Sequence, residues 1–307
     1  MDKISVITTL YKSENYIREL YQRTTQTLNE LGVQYEIIFV DDCYNDNALE
    51  IAKSLLKNDQ NIKIIKLSRN FGQHAAINAG ISNADGDWFV VIDSDLQDRP
   101  EEIKRLYQKS KEGYDIVLAQ RVKRKDSFMK KLSSFIFSKV ASYLSGFKID
   151  YTTSNFGIYS KRVIENYKSL PESKLYFPFI IQWLGYSKTG IEVEHSERMK
   201  DKSSYNISKL FSLAFDSILY SSTKPLITTI KIGLSISVLS FIYAGYIILK
   251  KFLYNIPVSG WASTIASIWF LSGLIISVIG IVGAYTGKAF EESKKRPMYI
   301  IEDIYKN

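Results

Sequence analysis

The chain has 307 residues, 46% of them hydrophobic, and carries a formal net charge of +8. That length holds one large α/β domain plus an appendage. The positive balance points to anionic partners, whether membrane lipid, phosphates or nucleic acid. One cysteine, Cys43, excludes an intrachain disulfide, and two histidines, His74 and His195, exclude a His-rich zinc site; a reducing, cytosolic compartment suits such usage.

In chain order, residues 3–9 read as a buried strand, and the polar Thr8 and Thr9 after so short an apolar run are unlike a signal peptide. Residues 15–31 place Tyr16, Leu20, Leu28 and Leu31 at helical spacing, with Gly32 as the stop. A second strand, 35–40, ends at Asp41-Asp42. Then come a helix over 48–56, a strand over 62–67, a helix over 73–81, a strand over 88–92, a helix over 100–111 with Pro100 near its start, and a strand over 114–119. Strands alternating with helices predict a mostly parallel, doubly wound α/β sheet.

The strand over 88–92 runs into Asp93-Ser94-Asp95-Leu96-Gln97-Asp98, and the carboxyl end of a strand is where an open α/β sheet places its ligands. Asp93 and Asp95, two apart, point the same way in extended backbone. Such close carboxylates repel unless a cation or proton joins them. With Gln97 they form an all-oxygen set suited to Mg²⁺ or Mn²⁺ bridging to a diphosphate; a solvated acidic turn is the plainer alternative.

Further along, residues 128–147 gather Phe128, Leu132, Phe135, Ile136, Val140, Tyr143 and Leu144 on one face beside Lys130, Lys131 and Lys139. Residues 207–220 gather Leu210, Phe211, Ala214, Ile218 and Leu219. Both patterns suit interfacial helices on anionic lipid, or ordinary amphipathic helices against the sheet. Residues 226–249 are apolar or small except for Lys231, and 261–285 carry no charge, so each spans the roughly 20 residues a bilayer crossing needs. A short connection with Pro257 makes them a hairpin. Lys224, Lys231, Lys288, Lys294, Lys295 and Arg296 place its flanks in the cytoplasm, with Lys250 and Lys251 arguing weakly the other way. The expected organisation is a cytoplasmic catalytic domain over 1–225, a transmembrane hairpin over 226–287 and a cytoplasmic tail over 288–307, anchored in the inner membrane. No nucleic-acid recognition module is evident.

Several segments together resemble the family 2 glycosyltransferases, closest to the subgroup that includes dolichol-phosphate mannose synthases and bactoprenol glucosyltransferases. They are Ser5-Val6-Ile7 with Tyr11 and Glu14, Glu36 to Asp42, Ser68-Arg69-Asn70-Phe71-Gly72-Gln73-His74, Asp93 to Glu101, the segment 198–205 and the hairpin. The resemblance implies a GT-A type, Rossmann-like fold and transfer of a hexose from a nucleotide-sugar, UDP-linked by expectation, to polyprenyl phosphate in the bilayer. It admits a homo-oligomer. It assigns Thr9, Tyr11, Glu14, Asp42 and Arg69 to the donor, and Asp93 to donor positioning. Asp95 and Gln97 fall to the metal, Arg121 and Arg124 to the acceptor phosphate, and Arg198 to the diphosphate. His74 reads as structural.

The chain departs from the family at Thr9 and Lys12, where Pro and Asn are usual, and at Cys43-Tyr44, where Gly-Ser is usual. After Arg198, Asp201, Ser203, Ser204 and Tyr205 stand where Gly and then Ser-Lys-Tyr are usual. Asn155 stands where an Asp is frequent. An inverting transfer to a hydroxyl needs a general base, whereas an ionised phosphate does not. Asn155 therefore favours a lipid-phosphate acceptor, with Asp150 as the alternative base. Transfer to the hydroxyl of a lipid-linked saccharide is the rival activity, and a membrane scaffold with a decayed transferase site is the non-enzymatic rival.

Overall fold

The computed structural model describes residues 1–121, 153–170, 177–193, 222–254 and 260–307. The described chain divides into two compact units, one built on a sheet and one holding two long apolar helices.

The first unit alternates β1 (Lys3–Leu10), α1 (Ile17–Leu31), β2 (Gln34–Asp41), α2 (Ala48–Leu56), β3 (Ile62–Leu67), α3 (Gln73–Ser82), β4 (Trp88–Val91), α4 (Glu102–Ser110) and β5 (Ile116–Arg121). It continues with β6 (Thr153–Ser160), α5 (Lys161–Lys168), α6 (Phe177–Trp183), β7 (Lys188–Val193) and, at the end of the chain, β8 (Ile301–Lys306). The eight described strands lie in the order β7-β5-β6-β4-β1-β2-β3-β8. β6 runs antiparallel to β4 and β5, and β8 antiparallel to β3; the other pairings are parallel. The sheet is thus mostly parallel, as the alternation predicts.

Sequence explains why these strands are central. β1 buries Ile4 and Val6 on one face and Ile7 on the other, so both faces need cover. α1, α2 and α4 supply it on the first face through Leu20, Leu28, Ala52 and Leu106, and α3, α5 and α6 on the second through Ile77, Val163 and Ile181. Each fully buried Ile or Leu contributes about 1.5–3 kcal/mol. α1 stops at Gly32, whose φ of 64° suits glycine and whose N–H closes on the Asn29 carbonyl at 3.0 Å. α3 lies very close to the sheet, since a Cβ on Gly80 would sit 2.4 Å from Ile7 Cγ2.

At the far end of the strands, Glu36 is a buried hub. It accepts the Ser5 hydroxyl at 2.6 Å and the Asp85 N–H at 2.8 Å, with Lys3 and Lys63 each at 3.4 Å. Burial alone would raise its pKa; these partners outweigh burial and hold it below the usual carboxylate range.

The second unit contains α7 (Lys224–Tyr254) and α8 (Trp261–Ser293). Each carries a stretch long and apolar enough to cross a bilayer, Lys224–Ile247 and Ser263–Ser293, with none of it buried within the protein. The Tyr285 hydroxyl donates to the Ser222 carbonyl at 2.7 Å. Both helices run beyond the spans expected from composition.

The segment expected to be a tail, 288–307, is something else. Its first residues complete α8, and its last form β8, which pairs Lys63 with Lys306 and Ile65 with Ile304. The expected interfacial helices, 128–147 and 207–220, lie outside the described residues.

Candidate active site

The carboxyl ends of β1, β2, β3 and β4 carry four loops side by side, which is the ligand-binding edge of an open α/β sheet. Two of the loops are stapled together. Asp46 Oδ2 accepts the Ser13 N–H at 3.0 Å, and Glu14 Oε2 accepts the Asn47 N–H at 3.1 Å. Glu14, expected at the donor base, thus also ties the β1 loop to the β2 loop. Asp46 went unread in the sequence, although Asp46-Asn47 before a helix is a start signal, and its Oδ1 accepts the Ala48 N–H at 3.1 Å.

Thr9 is buried near the end of β1, and Tyr11 follows it, 48% exposed. Asp42 is buried, and both its oxygens are engaged by backbone: Oδ1 accepts the Phe71 N–H at 2.7 Å and Oδ2 the Gly72 N–H at 3.0 Å. Burial raises its pKa, and these two amides pull it back. Asp42 therefore shapes the loop after β3. Its neighbour Asp41 is pushed up to about 6, chiefly by burial. Arg69 is exposed on that loop, its guanidinium 4.0 Å from the Phe71 ring centroid. His74, just inside α3, is held neutral by burial, with its pKa down to about 4, which suits its structural reading.

β4 ends at Val91 and Asp93 lies just beyond it, but Asp95 is not on extended backbone as expected; residues 94–97 bend in a turn, with Leu96 in the left-handed region at φ 57°. The cause is local. Asp95 Oδ1 accepts the Gln97 N–H at 3.1 Å, a side-chain turn of the kind Asp favours. Asp93 Oδ1 accepts the Gln73 side-chain amide at 2.8 Å, a contact to α3 that periodicity gives no sign of.

Among the described residues no cluster of three or more His, Cys, Asp or Glu has metal-ligand geometry. Asp93 just before the turn, Asp95 on it and Gln97 nearby are a partial oxygen set. That composition fits a Mg²⁺ or Mn²⁺ ion whose remaining ligands are water and substrate phosphates.

Asn155 lies on β6. The last β4–β6 pair is Val91 with Gly157; Asp93 comes two residues after the first and Asn155 two residues before the second. The antiparallel strand thus returns Asn155 to the edge that carries Asp93. Arg121 ends β5 at this same edge, since β5 and β4 both run antiparallel to β6. Arg124, Arg198, Asp150 and the segment 198–205 lie outside the described residues.

Comparison with known proteins adds what geometry alone leaves open. The model of "Glycosyl transferase family 2" matches residues 5–168. The uncharacterized glycosyltransferase YkcC of Bacillus subtilis is 34% identical over 98% of this chain and 94% of its own. The bactoprenol glucosyl transferase of Shigella phage SfV is 35% identical over 98% of both. Among solved structures, glucosyl-3-phosphoglycerate synthase from Mycobacterium tuberculosis, in complex with Mn²⁺, UDP and phosphoglyceric acid, superposes with a TM-score of 0.52 at 16% identity, covering 71% of this chain and 76% of that one. That last likeness concerns the fold.

Proposed function

The chain belongs to glycosyl transferase family 2, and from that premise we propose that it moves a hexose from a UDP-sugar to polyprenyl phosphate at the cytoplasmic face of a membrane. That it is a glycosyltransferase follows from the family. The observation that carries the finer reading is the end-to-end similarity to bactoprenol glucosyl transferases.

In this reading the donor lies along the carboxyl edge of the sheet. The base meets the β1 and β2 loops, and the diphosphate meets the turn after β4. A divalent ion bound there supplies charge neutralisation to the departing nucleoside diphosphate. Asp95 and Gln97 would hold it. Asp93, fixed by Gln73, orients the donor. Arg121 and Arg124 meet the acceptor phosphate, and Arg198 the diphosphate.

The acceptor oxygen is already ionised near neutral pH, so attack at the anomeric carbon needs no proton removal. Asn155, at the same edge of the sheet as Asp93, positions and does not abstract. The new bond forms between the phosphate oxygen and the anomeric carbon as the bond to the diphosphate breaks, and UDP leaves with the electron pair. Holding both groups in one geometry removes much of the entropic barrier.

The apolar helices would confine the enzyme to the surface where its acceptor resides. The test is UDP release by the purified full-length protein with UDP-hexoses, Mn²⁺ and undecaprenyl phosphate. Release that requires the lipid phosphate is the expected outcome. Release that instead requires a lipid-linked saccharide overturns the acceptor assignment.

A further inference from the structure

The departures at Lys12 and Cys43-Tyr44 meet in space. Tyr11 and Tyr44, from the ends of neighbouring parallel strands, pack with ring centroids 4.6 Å apart and planes tilted by 57°. Lys12 lies beside both, its ammonium 6.0 Å from the Tyr11 centroid and 5.6 Å from that of Tyr44. The backbone is arranged to bring them together. Lys12, directly after Tyr11, has φ 55°, and Cys43, directly before Tyr44, has φ 52°. Two non-glycine residues in the left-handed region, one on each side of an aromatic pair, is strain of the kind retained at functional sites. The Ser13–Asp46 and Glu14–Asn47 staples hold the loops that bear the pair.

Despite this packing the rings stay open to solvent, Tyr11 at 48% and Tyr44 at 37% exposure. A soluble surface rarely holds two paired aromatics and a cation rigidly in water without using them. Flat π-faces accept a nucleobase of any identity by stacking. The ammonium adds discrimination: it has three donors and no acceptor, so it favours a base edge that offers carbonyl oxygens.

The geometry points to Tyr44 as a specificity-determining residue of the donor site: braced at an angle by Tyr11, it completes a two-ring platform in which one ring takes the face of the nucleobase and the other its edge, and Lys12 selects a carbonyl-bearing edge such as that of uracil over the amino-bearing edge of cytosine. This rests on the nucleotide-sugar reading above and deepens it. The serine usual at position 44 supplies no ring, so the platform belongs to this chain and not to the family pattern.

The experiment is equilibrium binding of UDP and CDP, with Mn²⁺, to the full-length protein in detergent, alongside thermal unfolding of each variant. Loss of one stacking partner costs about tenfold in affinity for either nucleotide. Tyr44→Ser is therefore expected to weaken UDP and CDP alike by about that factor, and Tyr44→Phe to recover most of the loss. Lys12→Asn is expected to shrink the preference for UDP over CDP severalfold. A purely structural role for Lys12 would move both affinities together and leave their ratio alone.

UDP affinity within twofold of wild type in a folded Tyr44→Ser protein overturns the platform. If Asp95→Asn still weakens UDP in that experiment, the donor reading survives the loss. Failure of the wild-type protein to bind either nucleotide overturns both. If Tyr44→Ser does not fold, the comparison of Tyr44→Phe with Tyr44→Leu decides: Leu equal to Phe rejects stacking.

Discussion

At the scale of single residues, the turn after β4 concentrates the chemistry. Asp95→Asn keeps the shape of the side chain but removes the charge that draws a divalent ion. A steady-state UDP-release assay is expected to show a loss of at least about 10²-fold, the order seen when one preorganised stabiliser of developing negative charge is removed. Asn155→Asp is expected to stay within a modest factor of wild type with the lipid-phosphate acceptor; a large gain with a hydroxyl acceptor would sink the phosphate assignment. Cys43 makes a different prediction. Its thiol donates to the Leu67 carbonyl at 2.6 Å while its backbone sits in the left-handed region. Cys43→Val, a β-branched residue in that region, is expected to cost about 2 kcal/mol by denaturant titration, whereas Cys43→Gly relieves strain of similar size. Asp41 supplies a pH signature. Its folded pKa, about 6, lies above the unfolded value of 3.8, so its stabilising contribution is complete below pH 4 and is lost as pH rises through 6. Asp41→Asn should flatten that part of the profile of melting temperature against pH. The carboxylates Asp42, Asp93 and Asp95 were legible because each follows an apolar run. Gln73 and Asp46 were not, because their contacts join loops distant in sequence.

Among the elements, the strands and helices up to β5 were readable from alternation, since each buried strand is a near-continuous apolar run. β6 was not readable: Thr153, Asn155 and Gly157 interrupt its apolar residues, and its partners β4 and β5 supply the pattern instead. β8 was hidden for another reason. Glu302 and Asp303 are exposed on it, as charges are on edge strands, and so it reads as a polar tail. Yet it braces the site. Ser68 donates to the Ile300 carbonyl at 2.9 Å, and the Asn78 amide reaches Met298 Sδ at 2.9 Å, so the segment supports both the loop after β3 and the helix α3. Glu302 pairs with Lys66 at 2.9 Å. Gly80→Ala tests the other side of α3. The added methyl meets Ile7 and Val40, and overpacking of this kind costs about 1–3 kcal/mol. A fall in UDP affinity beyond what that loss of stability explains would mean that α3 also sets the position of Gln73 against Asp93.

For the whole molecule, the chain leaves the sheet after β7, passes through α7 and α8, and returns to the same sheet as β8. Any path that crosses a bilayer and comes back must cross it an even number of times. If α7 and α8 are both crossings, epitope tags placed before Lys3 and after Asn307 should be protected from protease together in sealed inverted or right-side-out vesicles, and exposed together in the other orientation. The two ends share one sheet, so tags on opposite sides would overturn the β3–β8 pairing, and a tag inserted between α7 and α8 that reports the same side as both ends would mean that the helices do not cross. The two long apolar helices were legible because their runs are almost free of charge; the return of the chain was not, because pairing over such a separation leaves no trace in local pattern.

That return also sets a timetable. β3 is made early, but its outer edge stays open until Ile301–Lys306 have left the ribosome, after both apolar helices have emerged. The loop that Asp42 holds and β8 braces can therefore be completed only after α7 and α8 have been synthesised. Completion of that edge of the sheet thus waits on both apolar helices, and a chain truncated before α8 lacks the β8 brace.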